Sequence, residues 1–108
     1  MELNHYQTKS REFAVYPGKG KSLTYVTFGI CGEAGEFANQ VKKILRDDKG
    51  EISEARFDKL ADELGDVLWY VANAASELGT TLEHVANYNL HKLSQRRQYD
   101  SIHGDRRA

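Results

Sequence analysis

The chain is expected to be all-α, a bundle of three or four helices joined by short loops. Apolar residues recur at spacings of three and four over long stretches, and no stretch alternates as a strand would. Glycine, proline and polar clusters interrupt the chain mainly where one apolar stripe stops and the next begins. Before Pro17, Leu3, Tyr6, Phe13 and Ala14 suit a short first helix, in a loose pattern. The run YPGKGKS, Tyr16 to Ser22, holds the only proline and breaks the chain. Ser22 can cap a second helix, whose stripe is Leu23, Val26, Ile30, Ala34, Phe37, Val41 and Ile44. The polar run RDDKGEIS closes that helix. Ser53 can then cap a third helix, striped by Phe57, Leu60, Leu64, Val67 or Leu68, Val71, Ala75 and Leu78, with Gly79 just past its end. Thr81 can cap a fourth, carrying Leu82, Val85, Ala86, Leu90 and Leu93. The expected organisation is one domain over residues 1–98 and a tail over 99–108, with the charged segment loosely held from Gln95 onward.

Composition narrows the function. A chain of 108 residues can bury one core. With 40% hydrophobic and 29% charged residues it falls in the soluble globular class. A formal net charge of −1 gives no global attraction to a nucleic acid polymer or an anionic membrane. Cys31 stands alone, so no internal disulfide can form, and it reads as a small core residue. The N-terminal MELNHYQTKSREF has no apolar signal core, and no apolar run has membrane-spanning length. The expectation is a cytoplasmic protein.

Two acidic pairs stand out. GEAGEFANQVKK holds Glu33 and Glu36, and DELGDVLWYVANAA holds Glu63 and Asp66. Residues three apart on a helix lie roughly 60° from one another, so each pair shares a face. Gly29 and Gly32 flank the first pair and would let a backbone or a ligand come close. On the third helix the core stripe centres on Phe57, Leu64 and Val71. The opposite side carries Glu63, Asp66, Tyr70 and Asn73, with Trp69 and Ala74 at its margins. An ordinary solvated face would hold Lys, Glu and Gln, so this helix is expected to be covered on both sides. Burying carboxylates costs several kcal/mol unless a cation or hydrogen bonds compensate. Oxygen donors without Cys or His favour Mg²⁺ or Mn²⁺ over zinc. The plain alternative for each pair is a solvated acidic face, common in a chain this charged.

Taken together, these segments resemble the MazG-like nucleoside triphosphate pyrophosphohydrolases, in their short single-domain phage or bacterial form. The resemblance rests on E-x-x-E followed by E-x-x-D, on VKK and GDVLWY, and on N-L-H-K-L-S-Q-R from Asn89 to Arg96. The tail SIHGDRR is similar to the endings of short members. Membership implies a four-helix-bundle-like all-α NTP pyrophosphatase fold, oligomeric as a homodimer or homotetramer. It implies Mg²⁺-dependent hydrolysis of a nucleoside triphosphate, usually a deoxy one, to the monophosphate and pyrophosphate. Glu33, Glu36, Glu63 and Asp66 are then the metal ligands, and Glu33 or, in preference, Glu36 handles the attacking water. Tyr70 is the candidate to stack on the base, and Asn89, Lys92 and Arg96 share a helix face suited to phosphate. Lys43, two turns past Glu36, is a weaker phosphate candidate whose plain alternative is a cation at a helix end. Two other readings stay open: a non-catalytic oligomerising adaptor, and an enzyme of the phosphoribosyl-ATP pyrophosphatase kind. The covering expected around Trp69, Tyr70, Asn73 and Ala74 would come from a second copy.

Overall fold

In the computed structural model, residues 1–98 are described, and they form four helices: α1 (Leu3–Glu12), α2 (Thr24–Asp47), α3 (Glu54–Glu77) and α4 (Leu82–Gln98). The fold is all-α. The tail expected over 99–108 lies outside the described residues. Residues 95–98, read as the start of a loose segment, belong to α4.

Helix boundaries follow the capping chemistry. Ser53 Oγ accepts the Arg56 N–H at 3.2 Å, and Thr81 Oγ1 accepts the His84 N–H at 3.1 Å. Ser22, expected to cap α2, is not its N-cap: that position is Leu23, which has no side-chain cap bond, and Ser22 Oγ accepts the Thr24 N–H at 3.3 Å. Gly79, past the end of α3, has φ +77°, the left-handed conformation that glycine adopts without strain.

α2 and α3 form a long hairpin and carry most of the tertiary packing. Its connection is fastened by Arg56, whose Nε donates to Asp48 Oδ2 at 2.8 Å. The α2 stripe behaves as expected in part: Val26 and Ile44 are buried and Ile30, Phe37 and Val41 half-buried, while Leu23 and Ala34 are exposed. Cys31 is exposed, not a core residue.

α3 departs further from expectation. Phe57, Leu64 and Leu68 are 61%, 54% and 41% exposed. Toward its C-terminal end the stripe is covered, with Ala75 buried and Val71 half-buried, and the acid-and-aromatic side packs within the chain as well: Glu63 and Asn73 are buried and Trp69, Tyr70 and Ala74 lie against a core of Ala14, Tyr16 and Val26. Periodicity located a stripe on α3 that the chain covers only in part, and the chain covers its neighbour too. Trp69, Tyr70, Asn73 and Ala74 therefore need no second copy to cover them.

α1 crosses the C-terminal half of α3 and buries polar residues, Gln7 and Ser10, leaving Leu3 and Phe13 exposed. A second core of Ala72, Ala75 and Leu82, with Tyr6 and Val71 against it, seats the start of α4. Beyond that start α4 diverges, and no part of it packs on α2.

Candidate metal and nucleotide site

Because α2 and α3 run antiparallel, Glu33 comes to face Glu63 and Asp66. One carboxylate oxygen from each of the three lies within 4.8 Å of the other two. Glu63 is buried, Glu33 half-buried and Asp66 exposed, so the trio stands at the mouth of the helix interface. Among the described residues no Lys or Arg forms an ion pair with any of them. Burial pushes the Glu33 carboxyl above its ordinary range, and the charges of Asp66, Glu63 and Glu36 and a hydrogen bond with Asp66 push the same way. Three acids gathered at a helix interface are costly unless a cation or hydrogen bonds compensate. Three hard oxygen donors from two rigid helices suit a divalent cation of the Mg²⁺ or Mn²⁺ kind.

Glu36 is exposed and outside the trio, although its charge is felt by Glu33. It borders a shallow depression on the outer side of α2 with Gly35, Ala38, Asn39 and Lys42. Lys43 is half-buried further along α2, where its charge acts on Asp47 rather than on the trio.

Tyr70 lies one turn beyond Asp66 in an aromatic group. Its ring meets Trp69 edge-on at 5.0 Å between centroids and is tilted against Tyr25 at 6.4 Å; Tyr25 in turn stacks on Tyr16 at 5.3 Å. Burial raises the Tyr70 hydroxyl's pKa, helped by its interaction with Tyr25 and by the negative charge of Glu33 and Asp66. Tyr25, Phe28, Gly29, Gly32, Glu33 and Tyr70 enclose a hollow of about 310 Å³ that opens beside the trio. Tyr25 and Phe28 were not singled out in the sequence, since neither lies on the apolar stripe of α2 or in the acidic motifs.

Asn89, Lys92 and Arg96 follow one another along α4, Asn89 exposed and the other two half-buried. Their helix does not contact α2, so the chain's own packing does not bring them against Glu33.

A second polar centre was missed altogether. Glu77, whose side chain is 1% exposed, accepts from Arg11 Nη2 at 3.0 Å, from the Gly20 N–H at 2.8 Å and from the Tyr16 hydroxyl. Arg11 also donates to Asn73 Oδ1 at 3.1 Å. These bonds tie α1 and the α1–α2 loop to α3 behind the aromatic group. Their partners stand far apart in sequence, which no local pattern records.

No solved structure matches the chain. Over 109 aligned residues it is 47% identical to the Gene 37 protein of Mycobacterium phage L5, covering 96% of both chains. No helix among the described residues is long and apolar enough to cross a membrane. The family model for the MazG nucleotide pyrophosphohydrolase domain matches residues 22–99, the span that carries the carboxylate trio, the aromatic hollow and α4. The chain belongs to the MazG nucleotide pyrophosphohydrolase domain family.

Proposed function

We propose that the protein is a Mg²⁺-dependent nucleotide pyrophosphohydrolase that converts a nucleoside triphosphate, preferably a deoxy one, to the monophosphate and pyrophosphate. The observation that carries this reading is the trio of Glu33, Glu63 and Asp66, which has no ion-pair partner among the described residues. Those three would hold the ion, with Glu36 on the neighbouring turn. When bound, Mg²⁺, or Mn²⁺ in its place, supplies positive charge to the phosphate oxygens and acidifies the water.

The residues divide the remaining work. Water attacks the α-phosphorus, the bond from that phosphorus to the α–β bridging oxygen breaks, and pyrophosphate departs. Glu36, outside the trio and in solvent contact, accepts the water's proton; Glu33 is the alternative acceptor. Tyr70 offers a ring for the base. Asn89, Lys92 and Arg96 are proposed as the phosphate grip, assigned to a homodimer or homotetramer in which a neighbouring copy's α4 approaches the trio. Lys43 is the least supported of the phosphate contacts, because Asp47 competes for its charge. A cytoplasmic enzyme fits such a substrate.

The test is pyrophosphate release over the eight common NTPs and dNTPs with Mg²⁺. Turnover is expected for at least one dNTP. Glu36→Gln and Asp66→Asn are each expected to lower kcat by at least about a hundredfold while the fold is kept, in line with loss of acid–base or charge-stabilising groups. Wild-type turnover in either variant would remove that residue from the site.

A further inference from the structure

The two glycines that border the trio on α2 are used unequally. A methyl group at Gly32 would meet nothing within 4 Å, whereas one at Gly29 would lie 2.2 Å from Cε1 and 2.3 Å from Cδ1 of Tyr70. The Tyr70 ring therefore occupies a notch in the surface of α2 that exists only because residue 29 has no Cβ. Trp69 meets the ring edge-on from one side and Tyr25 leans on it from another. The core of Ala14, Tyr16 and Val26 backs it. Its remaining side forms part of the hollow that also holds Glu33. A fixed aromatic wall that leads to a carboxylate cluster suits a ligand with a flat ring at one end and phosphates at the other.

We propose that Gly29 is a positioning residue for the substrate: by admitting the Tyr70 ring into α2, it sets the platform on which the base stacks and the distance from the base to the carboxylates. The proposal rests on the nucleotide reading above. Phe28 and Tyr25 complete the stacking walls, so a planar base is the group recognised there.

The experiment compares wild type, Gly29→Ala, Tyr70→Ala and the double variant by two measurements. One is steady-state pyrophosphate release with Mg²⁺. The other is binding of a non-hydrolysable α,β-imido dNTP, followed through the fluorescence of Trp69, the single tryptophan. Loss of one base–aromatic stack is expected to raise KM and the analogue's Kd about tenfold in Gly29→Ala and in Tyr70→Ala, with kcat largely kept. The double variant should match Tyr70→Ala, because removing the ring removes the three atoms nearest the added methyl. Should Gly29→Ala prove unfolded, the double variant should fold again; a double variant equally unfolded overturns the proposal. So does an effect of Gly29→Ala that adds in full to that of Tyr70→Ala, or a loss confined to kcat. Turnover whose KM ignores both substitutions overturns the proposal and leaves the hydrolase intact. Tyr70-dependent analogue binding without any turnover supports the proposal and sinks the hydrolase.

Discussion

Glu63 and Glu77 are both carboxylates withdrawn from solvent on α3, but among the described residues only Glu77 has an ion-pair partner. Glu77 is held by the Gly20 N–H, the Tyr16 hydroxyl and Arg11, and its pKa falls to about 2 from an ordinary 4.5. A carboxyl depressed in the folded state stabilises the fold above its unfolded pKa and loses that contribution as pH falls through the folded value. Stability should therefore drop between about pH 4.5 and 2, and Glu77→Gln should flatten that part of the profile. Urea melts across the interval measure it, and a slope unchanged by the substitution would dismiss the network as its source. Glu63 is buried with no basic partner among the described residues. Glu63→Gln should raise the melting temperature without metal, because it removes a buried charge beside two others. In wild type, Mg²⁺ at about a hundred times its Kd should add roughly 2.7 kcal/mol by mass action. The variant should lose most of that response. Thermal melts with and without millimolar Mg²⁺ decide both points, and a wild type indifferent to the ion would remove the trio from metal binding.

At the scale of the element, α1 shows how a helix can dock without an apolar face. Gln7 Nε2 donates to Ser76 Oγ and to the Thr80 carbonyl, each at 3.0 Å, and Gln7 Oε1 accepts the Leu82 N–H at 2.8 Å. One side chain thus ties α1 to the end of α3 and to the first turn of α4. Asn4 adds a reciprocal pair with Glu83, accepting its N–H at 3.1 Å and donating to its carboxylate at 3.3 Å. Gln7→Ala leaves a hydroxyl, a carbonyl and an N–H short of a partner, at a cost of about 1–3 kcal/mol for each group that stays buried. The variant should melt well below wild type, and amide exchange should quicken first at the start of α4. Ser53→Ala, which removes only the cap of α3, should cost about 1 kcal/mol. Equal losses from the two substitutions would mean that Gln7 does no more than cap.

At the scale of the whole molecule, the homodimer or homotetramer proposed above needs a surface on which copies meet. Phe57, Leu64 and Leu68 form one exposed apolar stripe on α3, and this is where we place the second copy. Light scattering at micromolar concentration should return a dimer or tetramer. Leu64→Glu should shift it toward the monomer and lower activity together, since the stripe and the trio share a helix. A fully active wild-type monomer would refute the assembly.

Helix number, caps and much of the α2 stripe were legible in the sequence because they depend on residues one to four positions apart. Ser53 and Thr81 cap as their spacing required, whereas of the first acidic pair only Glu33 joins Glu63 and Asp66 and Glu36 stays outside. Family resemblance, too, lives in local motifs, and the matched span bears it out. How the two sides of α3 divide between packing and solvent was not legible. Its apolar stripe and its acid-and-aromatic side are both regular, and only the position of α2 and α1 selects between them. The meeting of Glu33 with Glu63 and Asp66, the seating of Tyr70 on Gly29 and the closing of Arg11, Tyr16 and Gly20 around Glu77 all join separate elements. Such contacts form only when the hairpin and α1 pack, because the free energy that fixes them comes from burial and long-range hydrogen bonds rather than from local propensity.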